Sequence, residues 1–189
     1  MKIKPTFHGL QAFTIPGFLS PDECLRLIEL SEKCGFVAAD VRTSDGQKAM
    51  PTVRNNERVL VESQEWVRLL WERLDQFAIP DIDGQSPFGL PRELRFYKYR
   101  QGQRFKMHKD GPWLENGMTS KLTFLVYLNE EFAGGETDFK IFTVKPVTGM
   151  ALLFIHATWH EGAAISEGLK YVLRSDVLYG NQANGDLRI

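Results

Sequence analysis

The chain has 189 residues, 43% hydrophobic and 25% charged, the proportions of an ordinary globular domain with room for a sizeable core. A formal net charge of −1 and a pI near 6.4 argue against a global attraction to nucleic acid or anionic membrane. The opening stretch MKIKPTFHGLQAFTIPGF has no apolar run of signal-peptide or membrane-span length, and a cytoplasmic location is expected.

In chain order, residues 12–18 read as a short strand and turn leading into a helix at about 21–34. Ser20-Pro21-Asp22-Glu23 supplies a cap, a Pro at the first helical position and a capping-box Glu. Leu25, Leu27, Ile28 and Leu30 form the predicted apolar side, and Gly35 ends the helix. Cys24 and Cys34 lie in it or at its end; ten helical residues separate them by about 15 Å, too far for a disulfide. Reduced thiols are expected. Residues 43–56 are polar with Gly, Pro and Asn, which predicts a long loop. A second helix is predicted at about 64–78, with Trp66, Val67, Leu70, Leu74 and Phe77 at helical spacing and Pro80 closing it.

From about residue 92 the texture changes to short runs: ELRFYKY, TFLVYLN, FTVKPV, MALLFI and KYVLRSDVLY. Turn residues punctuate them, at Gly102, Gly111-Pro112, Gly134-Gly135, Gly149 and Gly168. Many short strands after two helices predict a β-sandwich or barrel with helices packed on one face. The final GNQANGDLRI is polar and expected to be loose. One domain over residues 1–189 is expected, with helical support at about 19–80 and a strand core at about 92–180.

Among the four histidines, His108 stands two positions before Asp110, and His160 follows fifty positions later. On an extended strand, His108 and Asp110 point to one side while Lys109 faces away. Two imidazoles and a carboxylate can cover one face of an octahedral ion and leave three positions open. Taken alone the pattern is weak, since a strand histidine is more often a packing or surface residue. Lys170, ten residues after His160, falls in an apolar run. Buried there, it needs an anionic partner.

The segments YRQGQRFKMHKD, LTFLVYLNEEFAGGETDF, VKPVTGMALLFIHATWHEG and GLKYVLRSDVLY together resemble the Fe(II)/2-oxoglutarate oxygenase superfamily, in its prolyl 4-hydroxylase-like branch. FTIPGFLSPDEC is similar to the usual entry of such domains. The resemblance covers about residues 92–180 and implies an α+β chain built on a double-stranded β-helix, a jelly-roll, cupin-like barrel with N-terminal helices packed on one sheet. It makes His108, Asp110 and His160 the iron ligands, with Fe(II), 2-oxoglutarate and O2 as cofactor and co-substrates and ascorbate as an accessory. It sets Lys170 against the distal carboxylate of 2-oxoglutarate and Tyr99 in the co-substrate pocket. Tyr127 either hydrogen-bonds that carboxylate or serves as a core aromatic. On their strand, Lys170, Val172, Arg174 and Asp176 would face the barrel interior and Tyr171, Leu173, Val177 and Tyr179 the helices. Arg174 then either binds a 2-oxoglutarate carboxylate or pairs with Asp176.

His156 rivals His160 by position, and the His-Glu-Gly context favours His160. Trp113 and Trp159 are candidates for a substrate entrance, and residues 54–58 for a substrate-facing edge. The implied activity is hydroxylation of a protein side chain such as prolyl, or of a small molecule, with release of succinate and CO2. A carboxylate at Asp110 favours hydroxylation over halogenation, because it leaves no place for a halide. The alternatives are a non-catalytic cupin-like sensor of metal or 2-oxoglutarate, and an oxidative dealkylase of nucleobases. The latter is disfavoured by the lack of a basic stripe with interleaved aromatics.

Overall fold

A computed structural model of the chain describes residues 3–43 and 46–180; the polar C-terminal run expected to be loose lies, after Gly180, outside the described residues. Helix α1 (Pro21–Cys34) starts with the predicted capping box, Ser20 and Glu23 each accepting from the other's backbone N–H. Its buried stripe is Cys24, Leu27 and Ser31. Leu25, predicted on the apolar side, is 55% exposed, because two positions of about 100° each turn it away from Leu27. Both cysteines are free, Cys24 buried and Cys34 exposed.

Helix α2 (Gln64–Leu74) is capped by Ser63 and buries Leu70 and Leu74. It ends short of the predicted residue 78, because the next N–H groups, of Gln76 and Phe77, reach back only three residues, to Arg73 and Leu74. Phe77 still packs against the core. The predicted loop at 43–56 overlaps a hairpin between Val41–Thr43 and Gly46–Lys48, and Arg54 bridges to Phe105.

The strand runs largely hold: Glu93–Tyr99, Met118–Tyr127, Ala151–Ile155 and Lys170–Gly180. FTVKPV contributes only Thr143–Val144, since Pro146 offers no N–H to extend a ladder. The large antiparallel sheet runs Thr6–Phe7, Ala12–Ile15, Ala151–Ile155, Met118–Tyr127, Lys170–Gly180, Glu93–Tyr99, Glu57–Glu62 and Val37–Ala38. A smaller one runs Thr143–Val144, Thr137–Asp138, His160–Gly162 and Phe105–His108.

Two apolar clusters flank the large sheet. On one side Leu94, Phe96, Phe124, Val126, Leu173 and Val177 pack with Leu27, Leu70 and Leu74 of the helices. On the other, Tyr97, Leu125, Leu152 and Val172 meet Phe105 and Val144 from the smaller sheet and Phe139 just past its strand Thr137–Asp138. The result is a double-stranded β-helix with its helices on one sheet, as the resemblance implies. The site lies in the interior between the sheets.

Candidate active site

His108 ends one strand of the smaller sheet and His160 begins its neighbour, and antiparallel pairing sets them directly opposite each other. Their ring centroids are 4.2 Å apart. Asp110 lies just past the strand rather than on it, its N–H donating to the His156 carbonyl at 3.0 Å. One ligand atom from each of His108, Asp110 and His160 falls within 4.8 Å of the others. The 52 positions between His108 and His160 are thus closed by a single strand pairing.

Both imidazoles are oriented through Nδ1. That of His108 donates to the Lys106 carbonyl at 2.7 Å, and that of His160 to the Thr158 carbonyl at 3.0 Å. The bare Nε2 atoms therefore face inward, 3.7 and 3.6 Å from the Asp110 carboxylate. Phe105 stacks on His108 with centroids 3.5 Å apart. Burial pulls His160 down to about 4, which keeps it neutral at physiological pH. For Asp110, burial alone would raise the pKa, but the Arg174 guanidinium with both imidazoles holds it well below the usual carboxylate range. An ionised carboxylate with two imidazoles whose Nε2 atoms converge on it suits a divalent transition-metal ion that keeps open positions.

Arg174 Nη1 lies 2.8 Å from one Asp110 oxygen and Nη2 lies 3.4 Å from Asp176. Of the two roles open to Arg174 in the sequence, the observed contacts are those of the pairing role, extended to Asp110. Arg95 completes the group through its own ion pair with Asp176. Tyr97 sits among these cations; burial would raise its phenol, but Arg174, Arg54 and Arg95 bring it down to about 8.

Lys170 begins the long C-terminal strand and is 3% exposed. Its Nζ donates to the Gly135 carbonyl at 2.5 Å and stands 5.4 Å from the ring centres of both Tyr99 and Tyr127. Among the described residues no carboxylate lies within ion-pairing distance of it. Burial draws Lys170 down to about 7, against a smaller upward pull from Glu136. An ammonium has three N–H donors, so this one is held ready for an anion. Gly135 makes the contact possible: at φ 71° it would place a Cβ 2.4 Å from Ile165 Cδ1 and 3.3 Å from Lys170 Cδ.

One cavity joins the two halves of the site. His108, Asp110, His160, Lys170 and Arg174 line it together with Tyr97, Tyr99, Phe105, Thr123, Tyr127 and Thr137. Tyr99 and Tyr127 both face this cavity. Tyr127 is fully buried and its hydroxyl shares a 2.7 Å bond with Thr137, so it is core aromatic and cavity wall at once.

Trp113 and Trp159 are not among the lining residues. Trp159 is exposed with Lys109 and Lys140 near its ring, and Trp113 lies under Arg95 with its indole N–H on Glu115. Arg54 is buried between the rings of Tyr97 and Phe105, at 4.3 and 4.6 Å. His156 stands outside the His108–Asp110–His160 group, hydrogen-bonded to Ser120 and Thr123. Sequence reasoning missed Thr123, whose hydroxyl donates to Asp110 Oδ2 at 2.6 Å. The available signal was a hydroxyl within the apolar run TFLVYL, on the same strand face as Leu125 and Tyr127.

Residues 94–175 match the model of the 2OG-Fe(II) oxygenase superfamily. A putative prolyl 4-hydroxylase of Acanthamoeba polyphaga mimivirus is 23% identical over 183 residues, covering 85% of this chain and 71% of that protein. Among solved structures, the viral collagen prolyl hydroxylase of Paramecium Bursaria Chlorella virus-1, in its 2OG complex, superposes with a TM-score of 0.71 at 23% identity, covering 90% of this chain and 97% of that one. A Trichoplax adhaerens prolyl hydroxylase, in complex with a hypoxia inducible factor oxygen degradation domain peptide fragment, gives 0.70 at 16% identity, covering 96% and 88%. The superfamily works with Fe(II), 2-oxoglutarate and O2, and the donor set and buried ammonium of this cavity fit the first two of these. Barrel, donor set and matched segment agree: over residues 94–175 the chain is similar to the 2OG-Fe(II) oxygenase superfamily, and along most of its length to prolyl 4-hydroxylases.

Proposed function

We propose that His108, Asp110 and His160 hold the iron, that Lys170 receives the distal carboxylate of 2-oxoglutarate, and that the hydroxylated substrate is a prolyl or other protein side chain. The observation that carries this reading is a buried Lys170 with no carboxylate partner among the described residues, in the same cavity as the His–Asp–His group. The names of the relatives support the prolyl choice. A cytoplasmic setting is part of the proposal, supported by two free cysteines on one helix.

When bound, iron with O2 and 2-oxoglutarate supplies the oxidising power, 2-oxoglutarate leaving as succinate and CO2 as the substrate gains a hydroxyl. The chain's own residues supply placement. Nδ1–H bonds to backbone carbonyls keep the Nε2 lone pairs of His108 and His160 turned inward. Thr123 and Arg174 hold one Asp110 oxygen each. Tyr99 and Tyr127 wall the Lys170 ammonium from water, which strengthens its attraction for a carboxylate.

The test is succinate release with ascorbate present, using proline-containing peptides and mass spectrometry for a +16 Da product. Turnover is expected to need both Fe(II) and 2-oxoglutarate and to be abolished in Asp110→Ala. A +16 Da product on small molecules and on no peptide would move the substrate class. Turnover retained in Asp110→Ala would remove the ligand assignment.

A further inference from the structure

Ser120 and Thr123 differ by an odd number of positions, so on a regular strand their side chains would face opposite sides of the sheet. The pairing of Met118–Tyr127 with Lys170–Gly180 slips between Ser120 and Leu122, leaving Lys121 as the extra residue of a bulge. The slip reverses parity, and both hydroxyls reach one imidazole: Ser120 Oγ lies 2.8 Å from His156 Nε2 and Thr123 Oγ1 lies 2.9 Å from His156 Nδ1. His156 is fixed by its backbone as well, its N–H on the Lys121 carbonyl and its carbonyl on the Asp110 N–H.

The proton positions along this chain follow from its two ends. The Asp110 carboxylate only accepts, so the Thr123 hydroxyl spends its proton there. The Thr123 oxygen must then accept from His156 Nδ1–H. Nε2 is left with a lone pair, which takes the Ser120 hydroxyl proton, and the Ser120 oxygen accepts from the Trp113 N–H at 2.8 Å. Every donor and acceptor is used once, in one direction. A proton on Nε2 instead would leave the Nδ1 lone pair facing the Thr123 oxygen with no proton between them.

We infer that His156 is a positioning residue that sets Asp110 through Thr123, and that the Lys121 bulge exists to assemble this relay. The inference rests on the reading of Asp110 as a metal ligand. The relay presents one carboxylate oxygen in a fixed orientation and closes the loop between Asp110 and Ser120 onto the barrel. Outer hydrogen bonds of this kind typically change metal affinity by ~10–100-fold.

Co(II) alone is the probe, titrated by its visible absorption into the full chain, with the unfolding midpoint of each metal-free variant as control. His156→Phe and Thr123→Val should each weaken Co(II) binding by ~10-fold or more, and the double variant should be no weaker than Thr123→Val. His156→Asn, whose amide N–H replaces Nδ1–H, should recover most of the affinity. Nitrogen-15 NMR of the wild type should read His156 as neutral with its proton on Nδ1. Unchanged Co(II) affinity in Thr123→Val, or the proton found on Nε2, overturns the relay and leaves the ligand set standing. A wild type that takes up no Co(II) overturns both. Should His156→Phe not fold, Thr123→Val and the NMR signature decide by themselves.

Discussion

All eleven residues of Lys170–Gly180 are buried, yet the strand's two faces meet unlike surroundings. Tyr171, Leu173, Val177 and Tyr179 enter the helix-side apolar cluster. Lys170, Val172 and Arg174 line the cavity, and Asp176 ties Arg174 to Arg95. Burial alone therefore does not separate core from site. The helix-side face is held by non-directional apolar packing, which needs only volume. The cavity face is held by directional bonds, and Lys170, without a charged partner among the described residues, marks where a ligand belongs.

The comparison breaks most visibly on the apolar side. Leu173→Ala should lower unfolding stability by ~2–5 kcal/mol, read by denaturant titration, with the KM for 2-oxoglutarate little changed. A large KM effect would mean that the two faces are not separable. On the cavity side, Lys170→Ala removes a charged hydrogen-bond donor worth ~1.5–3 kcal/mol. The apparent KM for 2-oxoglutarate should rise ~10–100-fold, with no loss of stability because a costly buried charge goes with it. An unchanged KM would transfer the anchor role to Arg174. The smallest effect is on pH. Lys170 lies at about 7 without its partner, and only the protonated form receives a carboxylate, so affinity should be flat below about 7. It should weaken as pH rises above that, by at most ~10-fold per pH unit. Lys170→Arg, which stays charged, should flatten that slope; a slope kept in this variant would place the titration elsewhere.

The residues proposed as ligands were legible because their spacing is a property of the chain: His108 and Asp110 within one motif, His160 before Glu161-Gly162, Lys170 after Gly168. The faces of Lys170–Gly180 were legible from alternation. Leu25 and the end of α2 were misread because composition does not report where a stripe or a final turn meets the core. Thr123 and His156 were passed over for a stronger reason. Alternation puts Thr123 on the face of Leu125 and Tyr127, but that Ser120 joins it on His156 depends on a bulge that inverts side-chain parity at Lys121, and a linear pattern carries no sign of such a slip.

The sequence by itself determined a strand-rich sandwich or barrel, the two helices that support it, and which residue types could hold a metal and an anion, because these follow from periodicity and from chemistry local to each motif; the jelly-roll and the dicarboxylate came with the resemblance. Only the tertiary structure decided that His108 pairs across to His160, that Lys170, beside them, has no carboxylate partner among the described residues, and that Arg174 turns to Asp110. Strand register brings distant residues within ångströms of one another, and register is settled by the packing of the whole barrel rather than by any one segment.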